Sequence, residues 1–546
     1  MAQLEQLDIL LVAGDHNTCA RLSELLARCD LRETHRAASA NAAVARLRER
    51  HYDLVLCELE LGEGSQDGQH LLEDLRTHGI LPRDTLFIMI SAARNYDRVV
   101  GTAELAPDDY LLKPLNAGIL QARLERAAAR REAFLPAWRL IEAGRPDEAI
   151  IECERGALRH PAWHADFVRL RAEIAFTQGR PDEARTLYQD VAEATGVPWA
   201  RLGQARMLMA AGRHAEAAPL LEELIDKNEH YLDAYDLLAQ CQEKSGGTFQ
   251  AADTLNDALR RSPRRLDRLR RFGTLAARTG RVEEAEQSLS QLVELGRHSA
   301  FRKPADHLEL ARVQIQAGHA EKAARTVMEL ERLAKNMTDG PACAALGRAL
   351  VARETGDENA ARDALSDAVQ EALNTKNLPL SLSHEIIRAC LASGLDNEGV
   401  TLTSNILRHA EDEATVKQTH ALFGQCDRLD LVEQVKTRLH AEVLAYLTAG
   451  ANKAKAGDYD GAVSEMLDAV RRMPGHPQVL LNAALALLRH IEHRGWNERF
   501  ANDARKLIAR AQRVDPGHPR LEPIHLFLKE LQRRSELETP AHPEQT

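Results

Sequence analysis

From Gly144 onward the chain repeats one short pattern: a glycine, then an alanine five residues later, usually with acidic residues between. GRPDEA occupies Gly144–Ala149 and again Gly179–Ala184, and GRHAEA follows at Gly212–Ala217. GTFQAA runs from Gly247 to Ala252, GRVEEA from Gly280 to Ala285, GHAEKA from Gly318 to Ala323, and GDENAA from Gly356 to Ala361. GLDNEG (Gly394–Gly399) is a weaker copy, and GDYDGA (Gly457–Ala462) is the last. Successive glycines are 35, 33, 35 and 33 residues apart, then 38, 38 and 38. The 63-residue gap after Gly394 fits two units, the hidden one turning near Cys426–Leu431. Such a period defines stacked units that cannot fold singly, since each buries its apolar face only against its neighbours. Glycine ends a first helix in the left-handed region. The alanine lets a second helix approach closely. Ala184, Leu187, Tyr188 and Val191 then form an i, i+3, i+4, i+7 stripe, repeated by Ala217, Leu220, Leu221 and Leu224.

A spacing near 34 residues with these signals resembles the tetratricopeptide repeat (TPR). The family's proline, twelve residues beyond its alanine, matches Pro161 and Pro474. Its second-helix aromatic matches Tyr188, and its first-helix small residues match Ala137, Ala172 and Ala205. The resemblance implies an all-α TPR superhelix over residues 133–534, about ten to eleven hairpins, whose concave groove holds a partner protein. The turn near Gly495-Trp496 and the amphipathic Ile524–Leu531 are expected to cap it. Residues 535–546, with Pro540 and Pro543, are expected to be a disordered tail.

The first 130 or so residues follow another rule. Apolar runs of strand length, Ile9–Val12, Leu54–Leu56 and Leu86–Ile90, alternate with helical patterns such as Ala20, Leu22, Leu25 and Leu26. Alternation of this kind predicts parallel strands joined by helical crossovers, with functional groups at the carboxyl ends of the strands. Four segments, DILLVAGDHN, DLVLCELELGEGSQDG, TLFIMISAA and PDDYLLKPL, resemble a two-component receiver domain over roughly residues 7–130. The resemblance implies a flavodoxin-like, five-stranded parallel α/β fold for residues 1–132. It matches Ser91 to the family's hydroxyl residue, Tyr110 to its switch aromatic and Lys113 to its invariant lysine. Pro114 matches a proline preceded in the family by a cis bond.

Two departures outweigh the matches. The acidic pair that holds Mg²⁺ in the family is Ala13-Gly14 here, leaving Asp15, and the phosphoacceptor position is Glu58. Magnesium is held through one or two carboxylates in near-octahedral geometry, and neutralising phosphoryl charge dominates such transfers. Loss of ordinary phosphorylation is therefore expected. Glu58, one methylene longer than aspartate, either pairs permanently with Lys113 and Ser91 as a fixed mimic of a phosphorylated state, or is drift. A weak magnesium site at Asp15 and Glu58 is the residual metal candidate, and the loss of acids goes against it. Asp53 cannot replace Glu58: five residues earlier, it points to the other face about 16 Å away.

From Asn116 to about Arg131 a single amphipathic helix is expected, capped by Asn116, with Pro136 interrupting the pattern before the first repeat. No Gly/Ser tract separates the two halves, so a stiff junction is expected.

Residues 260–271, RRSPRRLDRLRR, hold seven arginines: Arg260, Arg261, Arg264, Arg265, Arg268, Arg270 and Arg271. They form either a solvated face paired with neighbouring acids or an anion patch for an acidic partner or RNA. Only Phe272 is aromatic nearby, which does not suggest base stacking. The net charge of −11 on 546 residues points no field at nucleic acid. His160 and His164 are separated by Pro161 and do not share a helical face. Neither an H-E-x-x-H, a G-x-S-x-G nor a Walker-type loop occurs. Eight scattered cysteines, a start without a basic leader and the lack of a membrane-length apolar run lead to a cytoplasmic expectation.

The leading expectation is a non-enzymatic signalling adaptor needing no cofactor. Its receiver-like part would meet a histidine kinase, a phosphotransfer protein or another receiver, and its array a second protein. A phosphorylation-controlled response regulator with a TPR output is the alternative, and an RNA-associated regulator using the arginine cluster is the third.

Overall fold

The structure is a computed structural model that describes residues 7–29, 31, 34–62, 66–92 and 104–538. It divides into two compact units, Met1–His319 and Ala320–Thr546.

The first unit opens with five strands: β1 (Ile9–Val12), β2 (Thr34–Ala37), β3 (Leu54–Glu58), β4 (Leu86–Ser91) and β5 (Asp109–Leu112). They pair in parallel in the order β2-β1-β3-β4-β5. Helices α1 (His16–Ala27), α2 (Ala40–Glu49), α3 (Gly68–Thr77) and α4 (Ala117–Glu142) cover both faces. Strand alternation sorts the core. Ile9, Leu11, Leu54, Leu56, Ile88 and Ile90 pack with Leu22, Leu26, Leu120 and Leu124 of α1 and α4. Leu10, Val12, Val55, Cys57, Phe87 and Met89 pack with Val44, Leu71, Leu72 and Leu75 of α2 and α3. A sheet buried on both faces explains why β1, β3 and β4 read as continuous apolar runs.

Helix α4 starts at its Asn116 cap, which accepts the Ile119 amide at 2.8 Å, and runs unbroken through Pro136. The expected interruption does not occur, so the expected boundary at 132/133 falls inside one helix. Pro136 loses one backbone bond, an interior cost of about 3 kcal/mol. Phe134, Ala137 and Trp138 around it are buried in the first hairpin's core with Cys153 and Phe167, which holds the helix across that point.

From α4 the chain continues as α5 (Pro146–Arg159), α6 (His164–Thr177), α7 (Pro181–Thr195), α8 (Pro198–Ala210) and α9 (His214–Lys227). Next come α10 (Leu232–Lys244), α11 (Thr248–Arg261), α12 (Leu266–Arg278), α13 (Val282–Gly296) and α14 (Pro304–Gln316). The second unit runs α15 (Ala320–Ala334), α16 (Gly340–Glu354), α17 (Glu358–Asn374), α18 (Leu380–Ala392), α19 (Asp396–Arg408) and α20 (Glu413–Gln425). It ends with α21 (Asp430–Lys455), α22 (Tyr459–Arg472), α23 (Pro477–Arg494), α24 (Glu498–Val514) and α25 (Leu521–Glu538).

The repeat glycines do what their spacing predicts. Gly144, Gly179, Gly212, Gly280, Gly318, Gly356, Gly394 and Gly457 all have φ between 68° and 80°. The next amide reaches back five residues, as Arg145 does to Leu140 and Arg281 to Ala276, both at 2.9 Å, closing a Schellman motif. The fourth copy needs a one-residue correction. Gly246, at φ 85°, is its left-handed residue, and Ala251 rather than Ala252 stands five beyond. Gly212, Gly246 and Gly280 are then evenly spaced, 34 residues apart. The hidden unit turns where expected, on Asp427 at φ 53° between α20 and α21. Asp tolerates that region better than most side chains. The last helix continues to Glu538, past the expected start of the tail at Ser535; residues 539–546, with Pro540 and Pro543, lie outside the described residues.

All eight cysteines are free thiols, seven of them buried. Among the described residues no helix is long and apolar enough to cross a membrane.

Close helix contact rests on residues without a side chain. A Cβ on Gly203 would lie 2.4 Å from the Tyr188 ring, and one on Gly156 2.4 Å from the Phe167 ring. Gly203→Ala is therefore expected to destabilise the chain by about 1–3 kcal/mol as the ring is forced off its contact. Thermal unfolding checks this; an unchanged midpoint would contradict the contact.

Candidate functional site

The carboxyl ends of β3, β4 and β5 bring Glu58, Ser91 and Lys113 together. Glu58 ends β3 and is buried, and its carboxylate pairs with the Lys113 ammonium. Lys113 also donates its amide to the Ser91 carbonyl at 2.8 Å, and the bond to Pro114 is cis. Ser91 is buried at the end of β4. Tyr110, inside β5, packs against the core on the α2–α3 side. Its hydroxyl is buried without a hydrogen-bond partner among the described residues.

Asp15 does not join this group. It caps α1, accepting the Thr18 amide at 2.8 Å and the Thr18 hydroxyl at 2.9 Å. Those two bonds hold its exposed carboxyl below the usual carboxylate range. Ala13 is buried in the core. Gly14 leaves no room for any side chain, because a Cβ there would stand 2.0 Å from the Leu61 carbonyl oxygen. The backbone after β3 thus fills the place of the family's second acid. A magnesium ion, which wants several free oxygens, does not fit these residues: one carboxylate is committed to Lys113, one to a helix cap, and the third position is closed. Asp53 lies just before β3 and pairs with Arg131.

The arginine cluster is not an open anion patch. The Arg268 side chain is 0% exposed, held by Asp236 at 3.0 and 2.7 Å and by Glu104. Arg264 pairs with Asp67 at 2.7 Å, and Arg265 lies 3.5 Å from Glu73 and 3.9 Å from Glu104. Arg270 makes a two-pronged pair with Asp306 at 2.7 and 2.9 Å. Arg261 lies 3.4 Å from Glu229 and over the Tyr235 ring, while Arg271 donates to the Asp236 carbonyl at 3.3 Å. Arg260, 3.5 Å from Asp257, is the strongly exposed one. The RNA reading therefore loses its footing, since phosphate contact needs accessible cations. Pairing with acids was among the expectations, but three arginines reach acids of the receiver domain.

A polar seam joins the receiver domain to the hairpins between Ser262 and Phe301. Glu73 of α3 faces the free amides of Leu266 and Asp267, at 3.5 and 3.4 Å, and so caps α12 from outside the array. Asp74 accepts the Ser299 hydroxyl and the Gln66 amide, both at 2.6 Å. The His70 ring meets the Arg264 carbonyl at 2.9 Å on one side and Asp67 at 2.9 Å on the other. His78 stacks on Phe301 with centroids 4.0 Å apart, and the Ser262 hydroxyl donates to Glu104 at 2.9 Å. Sequence reading missed Asp67, His70, Glu73, Asp74 and Glu104. The one available signal was the arginine run, which demanded acids without saying which.

Among the described residues, Glu104, Asp233 and Asp236 form the one set of three metal-capable side chains whose ligand atoms lie within 4.8 Å of one another. Arg268 already pairs with two of them. His160 packs near Trp163 and Phe167. In the second unit, clefts of about 670 and 700 Å³ flank α20. The first is lined by Val416, His420, Leu439, His476 and Pro477, the second by Leu378, Leu402 and Ile406.

These features define a receiver domain followed by TPR hairpins. Residues 9–125 match the response regulator receiver domain, and residues 134–198 and 208–270 match tetratricopeptide repeat families. Among curated proteins, the chain is similar to the transcriptional regulatory protein ZraR of Escherichia coli O157:H7, 28% identical over 250 residues, covering 46% of this chain and 50% of the relative. It is 35% identical over 128 residues to ZraR of Klebsiella oxytoca, covering 23% of this chain and 27% of the relative. It is 34% identical over 106 residues to the two-component response regulator PhoP of Pseudomonas aeruginosa, covering 19% and 44%. The chain thus spans about half the length of the first of these relatives, and less of the other two. Similar solved structures include a two-component response regulator from Clostridium difficile, 26% identical, covering 23% of this chain and 98% of that one, TM-score 0.21. Pseudomonas aeruginosa pilF is 16% identical, covering 38% and 93%, TM-score 0.31.

Two outcomes follow from this geometry. Gly14→Asp, which restores a family acid, is expected to cost about 1–3 kcal/mol by overpacking against Leu61 and to create no magnesium site. Thermal unfolding with and without Mg²⁺ measures both. The second concerns pH. Burial alone would raise Asp67 and lower His70, but their mutual hydrogen bond and charges, with Arg264 adjoining, hold Asp67 well below and His70 above their ordinary values. Glu73, raised by burial, also faces His70. The Asp67 contribution is lost as pH falls through its lowered value. The His70 contribution is complete below about pH 6.5 and lost as pH rises through its raised value. The chain should melt at a lower temperature at pH 8.5 than at pH 6, and His70→Gln should shrink that difference. A difference that His70→Gln leaves intact would rule this pair out as its source.

Proposed function

We propose that the chain is a non-enzymatic, cytoplasmic signalling adaptor of a two-component system, whose receiver domain works without phosphoryl transfer. Receiver domains and TPR arrays both serve signalling through protein contact, and here the phosphoryl chemistry has no place to occur. The observation that carries the reading is the Leu61 carbonyl standing 2.0 Å from where a Gly14 side chain would begin. With it goes the Glu58–Lys113 pair, which already supplies the lysine with a negative charge. A receiver so arranged would present a pocket whose state is set without phosphoryl transfer to a histidine kinase, a phosphotransfer protein or another receiver. A second protein would lie on the array, and the clefts flanking α20 are the places where a segment of it fits.

The retained Ser91 and Lys113 favour the other reading, a response regulator that is phosphorylated and passes that state to its TPR part. Incubating the full chain with a small-molecule phosphodonor and Mg²⁺, then quenching in acid and weighing the intact protein, separates the two. An unchanged mass is expected. An acid-stable, hydroxylamine-labile phosphate on Glu58 would overturn the adaptor reading.

A further inference from the structure

The array face between Ser262 and Phe301 is a docking surface, and the partner that fits it is the acidic face of a receiver domain, here the chain's own. We infer that this contact is a reversible latch rather than a permanent fusion of the two modules, and this rests on the reading that the receiver domain signals by shape.

Three features point to a seam that opens. First, half of the charged groups in it keep a partner inside their own module when the modules part, and the others, Arg264, Arg265, Glu73 and Glu104, lie on the two parted faces, where water replaces the lost partner. Arg268 retains its two-pronged pair with Asp236, Asp67 retains His70, and Asp74 retains Gln66. Separation therefore leaves little uncompensated buried charge, which is what makes breaking an ordinary buried pair so costly. Second, the seam is poor in apolar contact. Phe301 is the array side chain that packs against the receiver domain's apolar core, stacked on His78 with Arg48 over its ring. Polar contacts of this kind mark movable domain interfaces, whereas obligate ones resemble a core cut in half. Third, the fit is incomplete: a cavity of about 340 Å³ remains between α3 and the α12–α14 hairpins, lined by His78, Arg265, Asp267, Phe301 and Lys303.

The closed latch buries two surfaces that a partner could use, α3 on the receiver side and Arg264, Arg265 and Arg268 on the array side. An acidic protein face competing for those arginines releases the receiver domain, and a partner holding α3 releases the array.

His70 reports the state of the latch because it is 1% exposed when closed. The experiment uses the full chain and measures diethyl pyrocarbonate labelling of His70 by mass spectrometry. It compares the parent protein with Glu73→Gln/Glu104→Gln, which removes two receiver anchors and leaves Arg268–Asp236 intact. The parent protein in 1 M NaCl is a second measurement, independent of any folding defect in the variant. The expected result is labelling of His70 at least tenfold faster in both, with an unchanged far-ultraviolet circular dichroism spectrum. Labelling that stays slow in both, or that rises only together with loss of helix and sheet signal, would overturn the latch. A receiver domain that never opens leaves its mass after phosphodonor treatment unchanged, so this failure is distinct from failure of the adaptor reading.

Discussion

Arg268 is neutralised twice, by Asp236 of its own hairpins and by Glu104 of the receiver domain, and the first unit is organised around that redundancy. Taking a guanidinium wholly out of water costs several kcal/mol, and one well-placed carboxylate with good geometry offsets most of it. The array has therefore met the cost before the receiver domain arrives. Glu104 adds charge-assisted bonds, and Arg265 nearby offsets the surplus negative charge. The receiver contributes specificity of place more than raw stability. It also helps explain why the seam can be so polar: its most deeply buried cation, Arg268, already has a carboxylate partner within the array.

The legible parts of the fold were those written in local backbone chemistry. Left-handed glycines and small contact residues announce the hairpins at fixed intervals. The strands buried on both faces stand out as apolar runs. Where the local signal was ambiguous, the reading slipped. The Gly246-Gly247 doublet offers two candidate caps, and composition cannot choose between them. Strand β2, THRA, lies at the sheet edge and carries one fully buried residue, Ala37, so it has almost no apolar signature. Pro136 normally marks a helix boundary, but packing on either side outweighed it.

The candidate site divides in the same way. Ala13, Gly14, Glu58 and Lys113 could be read by position alone, and so could the loss of the acidic pair. That the gap at Gly14 is filled by the Leu61 carbonyl could not, because a backbone atom has no letter in the sequence. The acids that answer the arginine cluster were equally hidden. Asp67 lies 197 residues from Arg264 and Glu104 164 from Arg268, and no local pattern links partners so far apart. A charge run is ambiguous until the fold supplies its complement.

One stretch of chain ties the pocket to the seam. Between Ser91, which ends β4 beside Glu58, and Tyr110 in β5 lie Glu104, Leu105 and Ala106. Leu105 is buried in the core on the α3 side, and Arg76 of α3 donates to the Leu105 and Ala106 carbonyls. Glu104 is held from the other direction by Arg268 and Ser262. Ala106 sits at φ 44°, where a residue with a Cβ costs roughly 1 kcal/mol or more and persists only when its surroundings hold it. A strained segment gripped from two sides has a relaxed alternative once either grip is lost. The grip on the array side is the one that competing charge can remove, whereas the Arg76 grip lies within the receiver domain and stays. Opening of the proposed latch would remove one of the two grips on this segment and leave the Glu58–Lys113 pair in place, a coupling between the two modules that needs no phosphoryl group.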